Sequence, residues 1–245
     1  MTVFIGILTF AALLGAPIEG VDTPPTTQEP PDALAYGDEG AWVAELNDQL
    51  EEAGFHPDGD AKFGRRTRHA VFAFQKHHVL PTTGSFTSEM WDLLEEPITL
   101  PARPERNRVE VDLGKQVLYL VDEGRVELVL PVSSASGGTY RHSSGSLTRA
   151  ATPEGKFEFE RRVRGWRRSY LGSLYNPYYF RGGYAIHGSS SVPNYPASHG
   201  CIRLTMWDMD LVKTKIDLGL TIYVYGKRTE PPEPYTIANP RPVAL

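Results

Sequence analysis

Two short runs decide how this chain is read: Ala185-Ile186-His187-Gly188, and Ser198-His199-Gly200-Cys201-Ile202-Arg203-Leu204. Cys201 is the only cysteine among 245 residues. A lone thiol cannot close an intramolecular disulfide, and in a chain that reads as exported it is a candidate reactive group. A free thiol titrates near ~8.5, and an imidazole within hydrogen-bond reach can take its proton and make it a nucleophile. His199 stands two residues before Cys201. His187 is separated from Ser198 by ten residues, enough for a loop to fold back. Gly200 permits a tight bend beside the sulfur. Such a bend could aim the N–H groups of His199, Gly200 and Cys201 at one point, as an oxyanion hole requires. Nucleophile, base and oxyanion site together mean acyl transfer. Two other readings stay open on the residues alone: a small buried hydrophobe, or a zinc site using His187, His199 and Cys201.

The string from His187-Gly188 to Ser198-His199-Gly200-Cys201-Ile202-Arg203 resembles the signature of the L,D-transpeptidase catalytic domain of the YkuD type. The resemblance extends over residues 107–226 and includes the run Thr152-Pro153-Glu154-Gly155-Lys156-Phe157. It implies that Cys201 attacks, that His187 gives and takes protons, and that His199 and Gly200 shape the oxyanion loop. Gly188, Ser198 and Arg203 are the implied substrate contacts; a structural salt bridge is the alternative for Arg203. No metal and no cofactor are implied. The implied reaction joins a tetrapeptide stem of peptidoglycan to the amine of a neighbouring stem, giving a 3→3 cross-link through a thioester, and such enzymes are acylated by carbapenems. The alternatives are an L,D-carboxypeptidase using water at the same site and a non-catalytic wall-binding protein. A zinc peptidase is a further alternative, although no His-Glu-x-x-His run occurs in the chain.

Upstream, Val43, Leu46, Leu50 and Ala53 recur at helical spacing, and Gly54 follows as a C-terminal cap. Ala70, Val71 and Phe74 share one face of a second helix starting near Arg66. Thr87 reads as the N-cap of a third helix that buries Trp91 and Leu94. Gly37-Asp38-Glu39-Gly40, Gly54-Phe55, Phe63-Gly64, Phe74-Gln75, Gly84 and Trp91 make this block similar to the three-helix peptidoglycan-binding domain. Gln75 is polar on an apolar stripe and reads as a surface position.

From Val109 onward the pattern turns to strands, with turns at Gly114-Lys115 and Glu123-Gly124. Thr205 and Asp208 suggest a capped late helix carrying Trp207, Leu211 and Ile216, and Leu220 to Tyr225 reads as a last strand. The fold class expected is α+β: a small three-helix N-terminal domain, then a β-rich sandwich catalytic domain with one late helix. Residues 1–20 read as a signal peptide or apolar anchor, 21–33 as a proline-rich linker, 34–96 as the peptidoglycan-binding domain, 107–226 as the catalytic domain and 227–245 as a proline-rich tail. A net charge of −5 and a pI near 5.8 argue against nucleic acid as a partner. Peptidoglycan is the expected partner, with a membrane anchor through the N-terminus as an option, and the expected location is the cell envelope, secreted or wall-associated. Arg161, Arg162, Arg164, Arg167 and Arg168 form a basic cluster that could meet acidic wall polymer or simply be a solvated face. Two stretches frame the expected cleft: the Ser/Gly-rich segment 133–151, with His142 as a surface residue, and the aromatic segment 166–180.

Overall fold

The computed structural model describes residues 29–226. The expected leader, most of the linker and the tail lie outside the described residues. Strand β1 (Ala33–Leu34) pairs with β2 (Phe86–Thr87) beside helices α1 (Ala41–Glu52) and α2 (Arg65–His77). Helix α1 buries Val43, Leu46 and Leu50 on one stripe. It ends as its glycine dictates: Gly54 has φ +87°, and the Phe55 N–H closes back onto the Leu50 carbonyl at 2.8 Å. The third helix is short. It is a 3-10 turn, Ser88–Met90, continued by α3 (Trp91–Leu94), and the Thr87 side chain makes no capping bond. Trp91 is half-buried rather than buried. Gln75 is a correction too. It is fully buried, donating to the Ser85 carbonyl and accepting from Gly84 N–H, so it clamps the turn between α2 and β2.

Beyond the segment 95–107, which joins α3 to the next strand, two five-stranded sheets face each other. The first contains β3 (Arg108–Asp112), β4 (Val117–Asp122) and β5 (Arg125–Pro131). A hairpin of β6 (Thr139–Arg141) and β7 (Leu147–Arg149) follows, then β8 (Gly155–Glu158), which joins the first sheet at its far edge. The second sheet contains β9 (Arg161–Arg162), β10 (Trp166–Ser169), β11 (Gly172–Arg181), β12 (Tyr184–Ser189) and β13 (Ile202–Thr205). Helix α4 (Met206–Val212) and β14 (Thr221–Tyr225) end the domain, β14 lying parallel to β3. Thr205 caps α4 as its sequence predicts, accepting from Asp208 N–H at 3.2 Å. The core between the sheets takes Val109, Val111, Leu118, Leu120, Phe180, Ile186, Ile202, Leu204 and Met209.

Strand β4 is buried on both faces, which explains its unbroken apolar run. Leu118 and Leu120 point into the sandwich, whereas Val117 and Tyr119, with Val129 of β5, join Leu50, Phe55 and Phe74 in a second core. The helical module is therefore seated on the outer face of the first sheet.

Candidate active site

Strands β12 and β13 run parallel, with Ile186 opposite Ile202 and His187 opposite Arg203. Residues 190–201 make the crossover, about the minimum that a parallel connection needs. Ile186, Ile202 and Leu204 are buried in the sandwich core. The alternation of a strand then sends His187, Cys201 and Arg203 to the opposite face. All three line one cleft of about 720 Å³, together with Ser198, His199 and Gly200. A larger groove, about 1020 Å³, lies between α1, the segment 94–106 and the β4–β5 turn, but neither histidine nor cysteine lines it. Chemistry, not size, singles out the smaller one.

His187 is 5 % exposed, and its Nδ1 lies 2.9 Å from the Gly188 carbonyl. A carbonyl can only accept, so Nδ1 carries the proton and Nε2 is left as the basic atom. Burial pushes the imidazole from 6.5 down to about 4; the Gly188 bond opposes this and Arg203 adds to it. Gly188 is required where it stands, because a Cβ there would sit 2.8 Å from the Tyr175 ring.

The thiol differs from expectation. Burial pushes Cys201 above its ordinary value, outweighing the Ala185 backbone N–H and the Arg203 guanidinium, both of which favour the thiolate. Both shifts favour the neutral forms, a thiol and an imidazole lining the same cleft, because desolvation penalises both charged partners of an ion pair. Cys201 still reaches the cleft, being partly exposed, and its Sγ lies 3.7 Å from the Gly183 carbonyl.

Ser198 is buried and holds the loop: its Oγ accepts from Gly200 N–H at 3.0 Å and donates to the Cys201 carbonyl at 2.5 Å. The Gly200 N–H is thereby withdrawn from the expected oxyanion trio, leaving those of His199 and Cys201. A Cβ at Gly200 would lie 2.7 Å from Tyr184 Cε1. His199 packs edge-on to Tyr140, with centroids 4.6 Å apart. Among the described residues no three His, Cys, Asp or Glu side chains gather into a possible metal site, so the zinc reading of His187, His199 and Cys201 finds no support in their placement. Arg203 is half-buried, and among the described residues no salt bridge holds it; burial lowers its basicity, and the nearness of the Cys201 sulfur opposes that.

Sequence reasoning missed several residues. Thr152 donates to the Gly200 carbonyl at 2.8 Å and accepts from Ala135 N–H, tying the cysteine loop to the segment after β5. The Ser134 carbonyl accepts from Ala197 and Ser198 N–H, and Ser133 donates to the Tyr195 carbonyl. The first part of the Ser-rich stretch is thus a splint rather than a free loop. Its Ser and Thr content was the available signal, but the partners of Ser133 and Thr152 lie 62 and 48 residues away. His142 is exposed, as expected, yet it also lines the cleft and packs on Tyr170. The aromatic stretch divides: Trp166 and Tyr170 are exposed in the cleft, while Tyr178 and Phe180 fill the core.

Residues 106–224 match the YkuD family model, described as the L,D-transpeptidase catalytic domain, and residues 39–94 match that of a peptidoglycan binding domain. No curated protein matches the chain. Among solved structures, an L,D-transpeptidase from Stackebrandtia nassauensis is 22% identical with a TM-score of 0.49, covering 82% of this chain and 99% of that one. An L,D-transpeptidase from Xylanimonas cellulosilytica is 37% identical with a TM-score of 0.72, covering 82% of this chain and 100% of that one. With that identity over the whole of the solved relative, and with both modules matched, the chain belongs to the L,D-transpeptidase family.

Proposed function

We propose that the protein forms 3→3 cross-links in peptidoglycan through a thioester on Cys201, with His187 as the proton carrier. The single observation that carries this reading is the His187 tautomer: Nδ1 is spent on the Gly188 carbonyl, which leaves Nε2 basic in the cleft that Cys201 lines. Because thiol and imidazole are both neutral at rest, proton transfer accompanies attack. Nε2 takes the thiol proton as the sulfur bonds to the carbonyl carbon of the third residue of a tetrapeptide stem. The carbonyl oxygen becomes an oxyanion beside the His199 and Cys201 N–H groups. As the C–N bond breaks, the departing D-alanine amine takes the proton from His187. A neighbouring stem's amine then attacks the thioester and gives its proton to Nε2. Collapse expels the sulfur, which recovers that proton.

In this reading Gly188, Ser198 and Gly200 shape the pocket, His199 lines its entrance, and Arg203 pairs with the terminal carboxylate of the donor D-alanine. A half-buried guanidinium without a carboxylate partner supports that last role. The domain limits follow the sequence reading, 34–96 for wall binding and 107–226 for catalysis, and the matched modules support a location at the cell wall. The test is intact mass after exposure to a carbapenem. Wild type should gain one adduct and Cys201→Ala none; an adduct on the variant refutes the assignment.

A further inference from the structure

The second sheet holds one row of residues that leads straight away from the sulfur. Arg161 on β9 is the register partner of Tyr179 on β11, Tyr179 is the partner of Ala185 on β12, and Ala185 stands abreast of Cys201. Three strand spacings place the Arg161 backbone about 14 Å from that of Cys201. The side chain leans back along the row: its guanidinium lies 3.6 Å from the centroid of the Tyr179 ring. That brings the cation to within roughly two spacings, on the order of 10 Å, of the thiol.

A guanidinium stacked flat on an aromatic ring keeps its N–H fork free at the edge, the arrangement that receives a carboxylate through two bonds. Among the described residues no carboxylate bridges to Arg161. The cleft it shares with Cys201 has no Asp or Glu in its lining, although the chain as a whole carries five more acidic than basic side chains. Arg167 and Arg203 line the same cleft. The cation field is local and lines the cleft.

We infer that Arg161 is the receptor for a free carboxylate at the far end of the donor's third side chain, so that the substrate class is a stem with an unamidated diaminopimelate at that position. This rests on the thioester reading above. The lengths agree. Six bonds separate the scissile carbonyl carbon from the distal carboxyl carbon of such a residue, about 7–8 Å when extended. A hydrogen bond of about 3 Å then spans the remaining gap to the guanidinium. A lysine at this position offers only an ammonium, which Arg161 repels, and a side-chain carboxamide offers one neutral acceptor.

The experiment compares four tetrapeptide donors with the full chain: third residue diaminopimelate, its side-chain amide, lysine, and diaminopimelate with the second residue's carboxylate amidated. Wild type should have kcat/KM at least about tenfold higher for the free distal carboxylate than for the amide or lysine donor. The donor amidated at residue two should match the unmodified one. Arg161→Gln should remove the preference by lowering kcat/KM on the free-carboxylate donors alone, and Arg161→Lys should restore part of it. Equal rates on all donors, a loss in Arg161→Gln that is uniform across donors, or a drop confined to amidation at residue two would each overturn the assignment. If no donor acylates wild type at Cys201, the thioester reading fails and this inference falls with it.

Discussion

The depressed basicity of His187 has a consequence for folding that can be measured apart from catalysis. In the native protein the imidazole titrates at about 4, chiefly because burial opposes its charge; in the unfolded chain it returns to about 6.5. Between those values the unfolded state binds the extra proton and the native state does not. Stability contributed by this group is therefore intact above pH ~6.5, falls as the pH drops toward 4, and is flat below. A shift of about 2.5 units corresponds to about 3 kcal/mol, or about 1.4 kcal/mol for each pH unit inside the window. The perturbation is His187→Asn, whose amide can still donate to the Gly188 carbonyl but does not titrate. Urea unfolding at half-unit steps from pH 7.5 to 4 measures both proteins, and the wild-type curve minus the variant curve isolates the one residue. That difference should shrink by about 3 kcal/mol across the window. Parallel curves would show that His187 is solvated and titrates normally, and the neutral-pair mechanism would fail with them. The same shift sets the acid limb of kcat/KM for wild type near pH 4 rather than 6.5.

Other outcomes follow from single contacts. Ser198→Ala strands the buried Gly200 N–H and the Cys201 carbonyl; it should cost about 2–3 kcal/mol by urea titration and slow carbapenem acylation at least about tenfold. Gly200→Ala drives a methyl into Tyr184 and should lower kcat/KM by about tenfold or more, with a much smaller change in Tm because Tyr184 is only half-buried. Gln75→Leu leaves Gly84 N–H unpaired in the helical module and should destabilise by about 2 kcal/mol on chemical unfolding, with no change in the acylation rate of the folded enzyme.

Local signals were faithful where a partner lies within one turn. The stripe Val43, Leu46, Leu50 gave α1, Gly54 its end, and Thr205 with Asp208 the start of α4. The Glu123-Gly124 turn has the positive φ angles, +47° and +83°, that a tight hairpin needs. Side chains whose partners are distant in sequence could not be read. Gln75 interrupts an apolar stripe, and only the folded turn at 83–85 shows that its amide is spent internally. Thr152 sits in a recognisable run, but its bond to Gly200 joins residues 48 positions apart. The electrostatics of the thiol went the other way from the sequence expectation for a related reason. A neighbouring histidine can be named from spacing, whereas the desolvation that keeps the pair neutral comes from the whole sandwich packed around it.

The seating of the helical module bears on how it could serve the cleft. A module on a flexible linker raises local substrate concentration over a broad volume. Here Val117, Tyr119 and Val129 of the first sheet are wholly enclosed by the module's own core, and undocking would expose them to water. Polar contacts fix the register: Val129 N–H donates to the Gly54 carbonyl, His77 meets the Tyr119 hydroxyl at 2.9 Å, and His56 pairs with the buried Asp208 at 3.0 Å. Lys76 of α2 donates to the Val132 carbonyl. The next residue, Ser133, exchanges backbone bonds with Arg203, and the one after it holds Ser198. From α2 to the cysteine loop there is thus an unbroken series of buried contacts. In the proposed reaction a wall strand held by this module would meet Cys201 at one distance and one orientation, and the module would serve as a fixed rest for the polymer rather than as a leash.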